Sequence, residues 1–264
     1  MISEFFSTAS SNLAMTVPAA LLIGLSLGLF GSGGSILTLP LLLYGLQLPA
    51  KIAIAASLFI VGNIALLSVM GYLSNAEQRR QIQGRHVLWF GLPGMLGTYL
   101  GAWLGGLVDS VWQLTLFSLL MLLASYRMWQ SPTQQLQPHQ APIGVLLLVG
   151  CGVGVATGFV GVGGGFLIVP ALVLLAGLTL PAAIATSLVI IVLQSYSGFV
   201  RYWWDLHQQQ QSLPWLAMLT IIVIGAMGSR IGKGLGQRLP TLALKRSFAI
   251  FLVLMAALVM TQSL

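Results

Sequence analysis

Charge is what this chain has least of. Only four acidic residues, Glu4, Glu77, Asp109 and Asp205, stand among 264, against eleven Lys and Arg, and charged residues make up 6% of the whole. A soluble domain carries about 25%, so the composition excludes an ordinary soluble protein. All four acids fall at loops or termini, which leaves no carboxylate inside an apolar segment to relay a proton or hold sodium. The three histidines, His86, His139 and His207, also lie in or beside loops. With no buried His–Asp–Glu constellation the chain offers no catalytic residues, and neither a metal nor another cofactor finds ligands. The single cysteine, Cys151, rules out an internal disulfide and a cysteine-based metal cluster. Set among glycines, it reads as a small packing residue. The net charge of +7 comes from cations scattered through short loops. They have no aromatic interleaving and form no basic helix, which argues against a nucleic-acid partner. Glu4 and the missing basic start argue against a cleavable signal peptide, so the first apolar segment is expected to belong to the mature protein.

What is present is apolar sequence, 57% of the chain. Apolar runs cover 15–31, 35–46, 50–74, 86–107 and 111–129, then 142–160, 166–177, 182–203, 213–237 and 240–262. Most approach the roughly 20 residues that span a bilayer, so the lipid bilayer is the first partner implied. Between the two sets lies a Gln- and Pro-rich stretch, 130–140. The expected division is a first repeat over 1–130, a linker over 131–141 and a second repeat over 142–264. A homo-oligomer is compatible with this composition.

The repeats share a glycine-rich passage. Gly28, Gly31, Gly33, Gly34, Leu37 and Pro40 fall without a gap on Gly158, Gly161, Gly163, Gly164, Leu167 and Pro170. Ala53–Leu58 (Ala-Ile-Ala-Ala-Ser-Leu) matches Ala183–Leu188 (Ala-Ile-Ala-Thr-Ser-Leu) at the same offset, and Gly94, Gly97 and Gly101 match Gly225, Gly228 and Gly232. Glycine clusters break helices, and in lipid a broken helix is tolerated only where protein or a cavity satisfies the freed backbone. Segments 35–46 and 166–177, about 12 residues each, reach only ~18 Å at 1.5 Å per residue, too short to cross. Each is expected to be a half-helix that begins at the glycines and returns toward the side its predecessor came from.

Loop charge sets the expected topology. Arg79, Arg80 and Arg85 crowd loop 75–86; Arg230, Lys233, Arg238, Lys245 and Arg246 crowd 230–246. Both belong in the cytoplasm under the positive-inside rule. That holds only if each half contains a re-entrant hairpin and three full crossings. The fold class predicted is therefore an all-α polytopic membrane protein of two inverted repeats, with both termini non-cytoplasmic and Arg201 and His207 in an outer loop.

Two opposed half-helix N-termini present unpaired N–H groups and partial positive charge, a setting for an anion. The candidate donors are Gly31, Ser32, Gly33, Gly34 and Ser35 in the first copy, and Gly161, Gly163, Gly164 and Gly165 in the second. Ser57, Ser187 and Thr186 follow the half-helices and join the candidate set, as do the amides Asn63 and Gln194, costly to bury without a role. Lys51, six residues before Ser57, either attracts anions or snorkels to the interface. Trp89, Trp103, Trp203, Trp204 and Trp215 read as interface anchors.

The paired Gly-x-Gly-Gly passages, each ending in Pro and followed by Ala-x-Ala-(Ala/Thr)-Ser-Leu, resemble the TauE/SafE sulfite-exporter family over almost the whole chain. A Gly-Arg-x-x-x-Trp phrase at Gly84–Trp89 adds to the likeness. The resemblance implies a transporter in a prokaryotic inner membrane. Its cargo would be sulfite or a small organosulfonate, exported by alternating access with the anion held between the half-helices. The alternatives are another small organic or sulfur-containing anion, an importer, or an intramembrane sulfur carrier or enzyme using Cys151. Ala56 opposite Thr186, and Ser32 and Ser35 opposite Val162 and Gly165, predict an asymmetric site.

Overall fold

Apolar runs of this length can satisfy their backbone in lipid only as helices or closed barrels, and helices are what form. The computed structural model describes residues 17–30, 33–130, 142–236 and 241–263, and among them there is no strand. The principal helices of the first half are α1 (Val17–Phe30), α2 (Gly33–Pro40, continued by a π-helical turn over Leu41–Gly45), α3 (Ala50–Leu73), α4 (Gly84–Gly106) and α5 (Ser110–Gln130), with a single helical turn, Ala76–Arg79, on the loop after α3. The second half follows with α6 (Ile143–Val160), α7 (Gly165–Leu174), α8 (Leu180–Gln208), α9 (Trp215–Gly236) and α10 (Thr241–Ser263). Five of them, α3, α4, α6, α8 and α9, are long and apolar enough to cross a membrane. The linker 131–141 lies outside the described residues.

Two short apolar helices fall where the sequence places the half-helices, α2 ending at Gly45 and α7 three residues early at Leu174. Pro40 and Pro170 explain why both are short, since each removes a donor from its own helix. Past Pro40 the chain relaxes into i→i+5 bonding, with Leu46 N–H donating to the Leu41 carbonyl at 3.0 Å. One boundary needs correction. Arg201 and His207 do not lie in a loop; α8 runs on to Gln208. The apolar pattern stops at Trp203, yet Tyr202 and Leu206 are buried one turn apart and Arg201 pairs with Asp205 across i, i+4. Both contacts carry the helix five residues further.

Glycine sets the close packing. An added methyl on Gly154 would overlap the Gly94 carbonyl, on Gly158 that of Thr98, on Gly101 that of Val155. These contacts climb α4 and α6 together, so the two helices run parallel. The equivalent seam joins α1 to α9, where Gly24 meets Gly225, Gly28 meets Ser229 and Gly232 meets Leu25. Between apolar helices in lipid such close backbone approach replaces the hydrophobic effect as the source of adhesion. Mated helices meet differently. Gly198 of α8 stands against Leu58 of α3 and Ser195 against Gly62, so contacts descend one helix as they climb the other. The same holds where Ser125 of α5 donates to Ala249 of α10 and Trp129 meets Arg246. At the molecule's centre, α3 and α8 bury most of their length, while Trp89, Trp103, Trp203, Trp204 and Trp215 stay exposed on the outside.

Candidate functional site

The second glycine passage folds into a tight turn between α6 and α7. Gly161, Gly163 and Gly164 take φ of +76°, +52° and +68°, left-handed values that cost an L-residue about 1–2 kcal/mol each. Gly161 closes α6, its N–H donating to the Thr157 carbonyl at 2.8 Å, and Gly164 caps α7. Among the described residues the N–H groups of Gly163, Gly165 and Phe166 have no backbone acceptor. The whole stretch 161–166 is buried. Buried peptide donors are nearly always paired, so three together at the positive end of a helix mark a place for an acceptor.

Two side chains of α8 face the same turn. Four buried side-chain polar atoms lack a partner among the described residues, and two of these belong to consecutive residues, Gln194 Nε2 and Ser195 Oγ. Both residues are fully buried. A methyl on Gly163 would stand 2.9 Å from Ser195 Oγ, and one on Gly164 2.9 Å from Gln194 Oε1. Across the turn Thr157 Oγ1 lies 3.0 Å from the Gly154 carbonyl and 3.4 Å from Gln194 Oε1. The far side of the Gln194 amide rests against Gly94, where any side chain would overlap Nε2. An unpaired buried donor costs about 1–3 kcal/mol. At the turn Ser195 Oγ and the open amides share one spot with no charged acceptor, which suits an oxyanion.

The other candidate residues divide. The Ser57 hydroxyl lies 2.6 Å from the Gly161 carbonyl and 2.9 Å from that of Ile54, so it ties α3 to the turn. Asn63 donates to the Phe59 carbonyl at 2.8 Å and accepts from Tyr196 Oη at 3.1 Å. Ser187 is buried and donates to the Ile184 carbonyl at 2.8 Å. Thr186 belongs elsewhere: its hydroxyl accepts from Gln83 N–H at 3.0 Å, on the loop between α3 and α4. In the first copy Gly33 and Gly34 open α2 and Ser35 is buried in its first turn. Gly31 and Ser32 lie outside the described residues.

Ser195 and Thr157 are missing from the sequence-based set. At the repeat offset of 130 they stand opposite Ala65 and Leu27, and Gln194 stands opposite Ile64. Polar residues present in one copy alone were the available signal, since apolar mates show that packing there does not require polarity. Cys151 is half-buried on the α4–α6 seam, its carbonyl against Gly97. Among the described residues no three of His, Cys, Asp and Glu gather as metal ligands would.

Comparison with known proteins adds to this geometry. The family model described as "Sulfite exporter TauE/SafE" matches residues 16–259. The chain is 31% identical over 261 residues to a "Probable membrane transporter protein" of Xylella fastidiosa, covering 96% of each. It is 26% identical to a protein of that name in Haemophilus influenzae, over 89% of this chain and 93% of that one. A "Probable membrane transporter protein YunE" of Bacillus subtilis shares 25%, over 90% and 93%. No solved structure matches the chain.

Proposed function

The chain belongs to the sulfite exporter TauE/SafE family, and from that premise we propose that it exports sulfite or a small organosulfonate by alternating access, the anion resting at the Gly161–Phe166 turn. The observation that carries this reading is a fully buried, unpaired donor, Ser195 Oγ, beside the open amides that start α7. A sulfonate or sulfite presents three oxygens to such donors, and the N-terminal dipole of α7 adds favourable potential. Gly163 and Gly164 lack the side chains that would fill the approach.

The inverted arrangement draws support from helix sense. Where mates α3 and α8 meet, and again α5 and α10, they run antiparallel. A twofold axis lying in the membrane plane turns a helix end for end; one along the membrane normal does not. With Arg79, Arg80 and Arg85 in the cytoplasm, both termini then face outward in a bacterial-type inner membrane. An inside-negative potential would drive uniport export of an anion by about 2.3 kcal/mol per charge per 100 mV.

The test is flux of labelled sulfite and of sulfoacetate in proteoliposomes, with and without an imposed potential. We expect saturable movement of one or both, faster when the compartment they leave is negative. Flux of neither above protein-free vesicles would overturn the proposal.

A further inference from the structure

The end of the molecule that carries the α4–α5 loop holds a feature apart from the glycine turn. Lys51, in the first turn of α3, donates to the Gly105 carbonyl, to the Val108 carbonyl at 2.7 Å and to Gln113 Oε1 at 2.9 Å. Every one of these partners is neutral. Gln113, fully buried, passes the network on, donating to the Phe159 carbonyl at the end of α6 and to Tyr202 Oη at 2.8 Å. Beside Lys51 opens a cavity of about 250 Å³, walled by Lys51, Trp103, Arg201, Tyr202, Asp205 and Gln209. It shares Trp103, Arg201 and Asp205 with a wider depression of about 630 Å³.

Among the residues that line the cavity, cations outnumber anions. Arg201 pairs directly with Asp205, which leaves the Lys51 ammonium, half-buried, without a carboxylate in contact. Asp109 on the α4–α5 loop and Asp205 act on it only through space. His207 stacks on Trp203 and does not line the cavity. Walls holding two cations and one anion, beside space for several waters at about 30 Å³ each, favour a small anion that keeps part of its hydration. Arg201 can also turn from Asp205 to such an anion, a planar fork meeting a tetrahedral group.

We propose that this cavity is a second anion station, taking a small free oxyanion of the sulfite, sulfonate or sulfate class between Lys51 and Arg201. Its sidedness, though not its chemistry, rests on the topology proposed above, which places it on the outer face as the last stop of an exported anion.

Leu107 lines the cavity and is 69% exposed, and Cys151 is the chain's one cysteine, so Leu107→Cys with Cys151→Ala gives a single reporter. In detergent without added lipid, methanesulfonate should slow maleimide modification of this thiol saturably, and dimethyl sulfone, its neutral analogue, should not. Lys51→Gln should raise the half-protecting concentration about tenfold or more, with Lys51→Arg near the parent. Arg201→Gln serves as second variant should Lys51→Gln fail to give monodisperse protein. Gln194→Leu should leave protection intact, which separates this station from the glycine turn even if no flux is found. Protection unchanged by Lys51→Gln and Arg201→Gln, equal protection by the neutral analogue, or protection lost in Gln194→Leu would overturn the proposal. So would protection conferred by phosphatidylglycerol vesicles and not by the free anion, since the occupant would then be a lipid headgroup.

Discussion

At Gln194 and Ser195 stability and function pull in opposite directions. Each buries a donor that nothing among the described residues pairs, so removing the donor should relieve a cost. Gln194→Leu, close in volume, is predicted to leave the thermal midpoint in detergent unchanged or raised, by up to about 1–3 kcal/mol of stability. A fall as large as that of a disrupted core would mean that the amide has an internal partner. Ser57 makes the contrast. Its hydroxyl is tied to the turn carbonyl of Gly161, and Ser57→Ala should cost about 0.5–1.5 kcal/mol. Gly163→Ala should cost more, because its φ of +52° disfavours a side chain and the methyl would press on Val61 and Ser195.

Among the elements, the parallel seams should decide whether the protein folds. Gly154 meets the backbone of Gly94, whereas a methyl added to Gly152, two residues earlier on the same helix, would find nothing within 4 Å. Gly152→Ala should therefore stay within about 1 kcal/mol of the parent, while Gly154→Ala should lose about 1–3 kcal/mol by overpacking. Comparing their thermal midpoints checks the seam; equal values would contradict it. The short helices α2 and α7 were the elements most legible in the sequence, because a run of 12 apolar residues between a glycine cluster and the next span stands out by its length. The glycines of the seams were legible as a repeat but not as a contact. Partner choice between helices depends on which faces meet, and Gly94 facing Gly154 is written in neither segment alone. Lys51 was legible as a cation near a helix start. Its three acceptors come from residues 54 to 62 positions away, a separation at which local pattern carries no information. The end of α8 escaped the sequence for a related reason: the helix continues beyond its apolar stripe on one ion pair and one buried turn.

For the whole molecule, the proposed topology rests on helix sense together with loop charge. Ser74, after α3, and Gln211, after α8, occupy matching loops of the two halves and are exposed. In the inverted arrangement they face opposite sides. If each half crossed four times they would share one side. Single cysteines at Ser74 or Gln211, with Cys151→Ala, should thus differ when intact cells meet an impermeant maleimide: Gln211→Cys is labelled, Ser74→Cys only after permeabilisation. Labelling of both from one side would contradict the inversion.

The central claim is that an anion is held by donors the folded protein leaves unpaired. Its most direct test is counterflow of labelled sulfite in proteoliposomes containing the parent protein or the Gln194→Leu/Ser195→Ala variant, with equal monodisperse protein incorporated. The site predicts that exchange by the variant falls by about tenfold or more, as expected when one anion contact of about 1.5–3 kcal/mol, that of Ser195 Oγ, is removed, while its thermal midpoint holds or rises. Exchange at the parent rate by a stably folded variant would contradict the site.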